Sequence, residues 1–307
     1  MIETTVKVAR RTQAADSVVL LDLVANRGGP LATWSPGAHI DILLPRGGER
    51  QYSLMPAPDD ATWRIGVLRE TDGRGGSAWL HDEVEVGRTI RVREPQNHFA
   101  FTPSAGTSYL FLAAGIGITA ISSMVASARS AGVPFELHYS GRTRSSMAML
   151  DEFPEAVVHV SDEGSRVDLA GLLSGLSPGT VVYCCGPAHF IEAVTSSAGG
   201  HPLHVERFEA KQLGAPVWPG DFGVELELSG ETLTVPPGRS ILEVVEEAGV
   251  FVLSSCRQGT CGTCETPVIS GAVDHRDSIL TPEEQQHSAT MYICVSRAAG
   301  PKLTLEL

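Results

Sequence analysis

The sequence contains no apolar run approaching membrane-spanning length, which excludes a transmembrane helix as its organising element. Its first residues, Met1-Ile2-Glu3-Thr4-Thr5-Val6, lack both a basic flank and an apolar core, so no secretory signal is read there and a cytoplasmic location is expected. Cysteine is scarce, 6 in 307 residues, and without a secretory signal this argues against disulfides. Positive charge is in deficit: 23 Lys and Arg stand against 36 Asp and Glu, a net charge of −13, so neither nucleic acid nor an anionic membrane is expected as a partner. Repeats and low-complexity tracts are missing as well.

What remains is an ordinary globular composition, 42% hydrophobic and 19% charged, at a length that suits two or three domains. Residues 222–307 hold 12 acidic and 5 basic side chains, more than half of the net negative charge. That excess serves either solubility or an acidic docking face that steers a basic partner.

Four of the six cysteines, Cys256, Cys261, Cys264 and Cys294, follow the pattern C-x4-C-x2-C, a long gap, then the fourth Cys. This is the plant-type spacing for a [2Fe–2S] cluster, whose irons take four thiolates. Gly259 and Gly262 sit where the loop must curl, and Gly accepts positive φ without steric cost. Cys294, in Met291-Tyr292-Ile293-Cys294-Val295, is expected on a strand that holds it rigidly. A structural zinc site would want a second C-x2-4-C pair, which is missing, yet a zinc-binding non-redox module is the alternative from a different class.

Three blocks are read along the chain: 1–103, 104–211 and 221–307, with a Pro- and Gly-containing linker over 212–220. The first has short apolar runs, such as Val18–Leu23 and His39–Leu44, between Gly and Pro turns, which predicts an antiparallel barrel or sandwich. The second alternates strands (Tyr109–Ala114, Phe135–Tyr139, Val181–Cys185) with helical stretches such as Ala120–Ala131, which predicts a parallel sheet with crossover helices. The third has a capping box at Ser240-Ile241-Leu242-Glu243 and a helix start at Thr281-Pro282-Glu283-Glu284.

The strand ending at Ala114 runs into Gly115-Ile116-Gly117-Ile118-Thr119-Ala120 and a helix, a turn suited to a pyrophosphate. After the next strand, Arg142 and Arg144 suit a 2′-phosphate, whereas Asp162 suits a ribose hydroxyl, so these residues leave NADH against NADPH open. Cys184-Cys185-Gly186-Pro187 follows a late strand, where Cys185 either fills the core or lines a nicotinamide pocket. In the first block, Arg50-Gln51-Tyr52-Ser53 places Arg50 and Tyr52 on one strand face, with groups suited to phosphate and aromatic ring. The turn Asp72-Gly73-Arg74-Gly75-Gly76-Ser77 opens onto a helix expected from Ala78, a second candidate anion site.

In this order these pieces resemble the phthalate dioxygenase reductase and vanillate demethylase reductase family over nearly the whole chain. The carriers are Arg50-x-Tyr52-Ser53, Gly75-Gly76-Ser77, Gly115 to Thr119, Cys185-Gly186-Pro187, Glu206-Arg207-Phe208 and the four cluster cysteines. The resemblance implies an FMN-binding antiparallel β-barrel, a parallel α/β NAD-binding domain and a β-grasp ferredoxin domain. It implies FMN contacts from Arg50, Gln51, Tyr52, Ser53, Gly75, Gly76 and Ser77, with Gly66-Val67-Leu68 as the strand along the flavin. It implies coenzyme contacts from Gly115, Gly117, Thr119 and Cys185, and places Ser53, Cys185 and Phe208 beside the reacting rings; Arg142, Asp162, Gly186 and Pro187 are further candidate coenzyme contacts read from the residues themselves. FMN rather than FAD goes with a C-terminal ferredoxin, and NADH with most members. Ala114 and Ala120 depart from the Gly and Pro usual in relatives. The implied function is electron transfer from NADH to a terminal oxygenase of the Rieske type, with a separate cytochrome P450 as the alternative acceptor.

Overall fold

In the computed structural model, residues 2–57, 59, 61–71 and 73–307 are described. Met1, Pro58, Asp60 and Asp72 lie outside the described residues, as does the side chain of Pro282. The turn expected over Asp72–Ser77 is therefore described only from Gly73. The chain forms two compact units, Met1–Arg207 and Phe208–Leu307. Among the described residues no helix is long and apolar enough to cross a membrane.

The first unit begins with β1 (Glu3–Ala15), β2 (Val18–Ala25), β3 (His39–Leu43), β4 (Glu49–Met55), β5 (Thr62–Leu68), helix α1 (Gly76–Asp82) and β6 (Thr89–Gln96). The strands close an antiparallel barrel in the order β1-β2-β5-β4-β3-β6. Strand periodicity explains why β2 is apolar without alternation. Val19, Leu21 and Leu23 fill the barrel with Ile40, Leu54 and Ile65, whereas Val18 and Leu20, on the opposite face, join a second core with Phe111 and Ile121. Each fully buried Leu or Val contributes about 1.5–3 kcal/mol, so one face holds the barrel together and the other holds it to the layer that follows.

That layer contains β7 (Tyr109–Ala114), α2 (Ile118–Ala131), β8 (Phe135–Gly141), β9 (Val157–Val160), α3 (Leu169–Ser174), β10 (Val181–Cys185), α4 (Ala188–Ser197) and β11 (Leu203–Glu206). Its five parallel strands run in the order β11-β10-β7-β8-β9. Strand β7 is buried at all six positions. Phe111 and Ala113 face α2 and the barrel-side core, and Leu110 and Leu112 face α3 and α4. The strand order reverses between β7 and β10, so their carboxyl ends flank a topological switch point, where open α/β sheets bind ligands. Helix α2 starts at Ile118 rather than at Ala120, and α1 at Gly76 rather than Ala78, because the preceding glycines already turn the chain.

The second unit holds β12 (Phe222–Leu226), β13 (Thr232–Val235), α5 (Ile241–Glu247), β14 (Glu265–Ser270), β15 (Val273–Asp274), α6 (Pro282–His287), β16 (Thr290–Tyr292), β17 (Arg297–Ala298) and β18 (Lys302–Leu305). Five strands form a mixed sheet, β13-β12-β18-β14-β16, with β12 and β18 parallel. Ile241, Leu242 and Val245 of α5 pack on Phe222, Val224 and Leu303, the β-grasp arrangement expected. Both capping boxes form. Ser240 Oγ accepts from Glu243 N (3.1 Å) while Glu243 Oε2 accepts from Ser240 N (2.9 Å), and Thr281 and Glu284 do the same (3.2 and 2.8 Å). Gln212–Gly220 carries neither helix nor strand.

Candidate cofactor sites

On the barrel, Arg50 and the Gly75–Ser77 turn come together. The Arg50 side chain lies over Gly76 so closely that a Cβ there would meet Arg50 Cγ at 2.7 Å. Its guanidinium donates to the carbonyls of Glu49 (2.7 Å) and Arg74 (3.2 Å). Burial, then the Arg74 charge, lowers its pKa without discharging it, which leaves a cation at the start of α1. Gly75 has φ of +81°, a conformation glycine adopts freely, and Ser77 Oγ accepts from Glu70 N at 3.0 Å. Burial pushes the Tyr52 phenol well up, so it is neutral. Ser53 is buried opposite His39, and Gln51 donates to Asp41 Oδ1 at 2.9 Å. On β5, Val67 points into the barrel and Leu68 packs on the neighbouring core. Gly66 admits Thr119, since a Cβ at Gly66 would come within 2.6 Å of Thr119 Cγ2.

The switch point brings together the two coenzyme stretches read from the sequence. A Cβ on Gly117 would lie 2.2 Å from the carbonyl oxygen of Cys185, and one on Gly186 would lie 2.8 Å from Ala114 Cβ. These glycines are needed for one backbone to lie against another. Gly115 (φ +55°) shapes the turn. Thr119 is buried, and its hydroxyl donates to Ile116 O at 2.8 Å. Ala120 lies in the first turn of α2 and is buried in the core. Pro187 leads into α4. Cys185 is fully buried; burial, then the charge of Glu206 and then Cys184, raises its thiol well above the usual range, and burial pushes Cys184 up to about 12.

Arg142 and Asp162, which pointed to opposite coenzymes, meet across the ends of β8 and β9. Asp162 N donates to Arg142 O (3.0 Å), and their side chains lie 3.8 Å apart in the open. Arg144 donates three bonds to Glu163, at 2.9, 3.2 and 3.0 Å.

A residue given no role of its own by the sequence reading is Glu206, at the end of β11 and in register with Cys185. The residue is half-buried, but Oε2 is sealed from solvent and has no hydrogen-bond partner among the described residues. Burial raises its carboxyl to about 8. An acidic residue closing the strand Leu203-His204-Val205-Glu206 was the available signal. Phe208 opens the second unit and is 43% exposed.

In the second unit the four cluster cysteines converge, all at least nine-tenths buried. Gln258 N and Thr260 N donate to Cys256 Sγ (3.3 and 3.4 Å), and Cys256 N donates to Cys261 Sγ (3.4 Å). Arg257 (φ +56°), Gly259 (φ +70°) and Gly262 (φ +77°) make the curl that aims these groups inward. Cys294 departs from expectation. Strand β16 ends at Tyr292, and Cys294 sits in the following turn, closed by Val295 N and Ser296 N on Tyr292 O (3.2 and 3.0 Å). A strand would send Ile293 and Cys294 to opposite faces; the turn lets both join one buried cluster, with Cys264. Ile293 is tied to the carbonyl of Cys264 and to the N–H of Leu242.

Among the described residues no three or more His, Cys, Asp and Glu side chains surround a single ion position. The four sulfurs instead touch in series, Cys261 to Cys256, Cys256 to Cys294, and Cys294 to Cys264. Contacts with Cys261 and Cys294, then with Thr260 and Gln258, outweigh burial and hold the Cys256 thiol well below its ordinary range. Buried sulfurs with main-chain N–H donors fit the four-thiolate set of a two-iron cluster.

Comparison with known proteins agrees. Residues 224–299 match the 2Fe-2S iron-sulfur cluster binding domain family. Phenoxybenzoate dioxygenase subunit beta of Ectopseudomonas oleovorans is 43% identical over 302 residues, 95% of this chain and 94% of its own. The solved phthalate dioxygenase reductase, described as a modular structure for electron transfer from pyridine nucleotides to [2Fe–2S], is 33% identical with a TM-score of 0.70, over 99% of this chain and 98% of its own. An intact type IV self-sufficient cytochrome P450 monooxygenase is 40% identical with a TM-score of 0.92; all of this chain matches 41% of that longer one. The fold and sites define an oxidoreductase with a ferredoxin-type terminal unit. The chain belongs to the phthalate dioxygenase reductase family.

Proposed function

We propose that this chain oxidises NADH and passes the electrons singly, through FMN and the [2Fe–2S] cluster, to a Rieske-type terminal oxygenase. When bound, the nicotinamide supplies a hydride, the flavin divides the electron pair, and the cluster carries single electrons. The observation that carries this reading is the gathering of four buried sulfurs in the same chain as a glycine-lined switch point. The reading divides the chain into an FMN-binding barrel (1–103), an NAD-binding domain (104–211), a linker (212–220) and a ferredoxin domain (221–307), working in the cytoplasm.

In this reading Arg50 and the Gly75–Ser77 turn hold the FMN phosphate, with Gln51, Tyr52, Ser53 and the Gly66–Leu68 strand along the flavin. The Gly115–Thr119 turn receives the coenzyme pyrophosphate, and Cys185, Gly186 and Pro187 border the nicotinamide. Phe208 is the aromatic that the family resemblance assigns to the flavin. The protein's part is positioning, because two reacting centres held in line react far faster than free ones. NADH is favoured over NADPH because Arg144 is already committed to Glu163 and Arg142 faces Asp162, so a 2′-phosphate would have to displace carboxylates.

A Rieske acceptor is favoured by potential. Plant-type clusters lie near roughly −400 mV and Rieske centres at roughly −150 mV or above. A gap of about 250 mV, at about 59 mV per tenfold, drives one electron forward by roughly four decades. The likeness to the P450 chain supports a second reading, with a haem monooxygenase as acceptor.

Anaerobic titration with NADH and with NADPH, followed by identification of the released flavin, tests coenzyme and flavin together. Bleaching of flavin and cluster absorption by NADH is expected. Reduction by NADPH alone overturns the coenzyme assignment, and a colourless, zinc-loaded protein overturns the whole reading. Parallel assays with a Rieske oxygenase and a P450 separate the two acceptors.

A further inference from the structure

The second unit places its positive charge unevenly. Of the five basic residues in 222–307, Arg239, Arg257, Arg276 and Arg297 line one cavity of about 420 Å³, and Cys294 lines it with them. Three of these arginines have carboxylate partners: Arg239 with Glu247 (2.6 Å), Arg257 with Glu246 (2.6 Å) and Arg276 with Asp274 (3.0 Å). Arg297 differs. It is 9% exposed, and among the described residues no carboxylate pairs with it within 4.0 Å. Its Nη1 donates to the carbonyl of Arg239 (2.6 Å) and its Nη2 to that of Pro236 (3.4 Å), and its Cζ lies 4.9 Å from the centre of the Phe222 ring. Burial, then the charge of Arg276, disfavours its cationic form, and the charge of Asp274 offsets part of that.

A guanidinium does not give up its proton in a protein, so burial leaves a cation whose nearest balancing carboxylate, Asp274 across the β15–β17 pair, is bridged to Arg276 instead. Carbonyl dipoles and a ring face compensate only part of that cost. Three residues away in sequence, and on the same cavity wall, is a cysteine of the set that would bind the cluster. Hydrogen bonds, net charge and exposure set the potential of such clusters. On reduction the cluster gains one electron, supplied through the flavin, and its net charge becomes more negative by one. No proton moves to or from Arg297, and no bond to it forms or breaks.

We propose that Arg297 is a positioning residue whose buried charge is the internal counter-ion of the reduced cluster, raising its potential and easing its reduction. This rests on the reading of the four cysteines as cluster ligands.

The test is a spectroelectrochemical titration of the holoprotein, with the flavin in the same cuvette as an internal reference. Arg297→Gln is expected to lower the reduced-to-oxidised ratio of the cluster by up to about tenfold at the wild-type midpoint, a shift of about 59 mV for one electron. The flavin midpoint stays in place. Arg297→Lys, which keeps the charge, recovers most of the shift. An unmoved potential in a folded, cluster-loaded Arg297→Gln protein overturns the proposal. Equal shifts in the Lys and Gln variants also overturn it, because loss of packing alone would then explain them. If Arg297→Gln does not fold, Leu213→Glu brings an anion to the same cavity from a residue 45% exposed. It must lower the cluster potential in the same direction, and an unchanged value overturns the proposal. Wild-type protein that takes up no cluster overturns the underlying reading as well, whereas a loaded cluster with an unshifted potential overturns only the role of Arg297.

Discussion

All six cysteines are buried, yet they form two groups with different surroundings. Cys184 and Cys185 close β10 in an apolar sheet, where burial raises both thiols and keeps them protonated. Cys256, at comparable depth, meets sulfur neighbours and main-chain N–H groups that favour its thiolate. Residue type and burial are shared, so the donors around the sulfur decide whether a cysteine is filler or ligand.

Exchanging one of the proposed cluster ligands breaks this contrast most severely. Cys294→Ser should lose cluster absorption and reduce transfer to one-electron protein acceptors by more than the ~10–100-fold typical of losing a supporting contact. Reduction of the flavin by NADH should persist, as stopped-flow absorbance will show; unchanged transfer to protein acceptors would refute the electron route. At the other group the backbone matters more than the thiol. Gly117→Ala forces a Cβ against the Cys185 carbonyl, and a displacement of about 1 Å at a reacting centre can cost about 10²-fold. A drop of that order in kcat/KM for NADH, with cluster absorption intact, is expected; wild-type kinetics would disprove the close approach.

Glu206 sharpens the contrast through pH. Its folded-state pKa of about 8 exceeds its ordinary 4.5, so between those values the folded protein keeps a proton that the unfolded chain has released. Stability therefore falls as pH rises through that window and levels off above about 8. Glu206→Gln removes this slope and should stabilise the protein at pH 8.5 relative to pH 5, with a ceiling of about 5 kcal/mol at about 1.4 kcal/mol per pKa unit. Urea melts at the two pH values measure it, and parallel pH profiles for variant and wild type would contradict it. The smallest effect concerns reactivity. Iodoacetamide at neutral pH should leave Cys184 and Cys185 unlabelled in folded protein, while the four loop cysteines label once iron is removed. Peptide mass spectrometry distinguishes the two groups, and labelling of Cys185 in the native state would contradict its sealed position.

Local patterns are legible in the sequence. Tyr109–Ala114 and Val181–Cys185 are strands at the expected residues, because six and five consecutive residues of that character fit a strand buried on both faces. The two capping boxes formed as read, since each closes within four residues. Cys294 was misplaced onto a strand because its apolar neighbours look extended, and only the requirement to reach Cys264 and Cys256 turns the chain there. The Arg142–Asp162 pairing and the sealed carboxyl of Glu206 were not legible, because each depends on a neighbouring parallel strand distant in sequence.

By itself, the sequence determined which residue types could serve: four thiols at cluster spacing, glycines between strand and helix, and the apolar runs that build two sheets and a barrel. Those are properties of neighbouring residues, set by local sterics and side-chain period. Tertiary structure alone decided which thiols meet donors, which glycine lies against Cys185, and which arginine is buried with carbonyls rather than a carboxylate at its guanidinium. Each depends on segments brought together by strand order and core packing, where a side chain's charge is set by what surrounds it rather than by what precedes it in the chain.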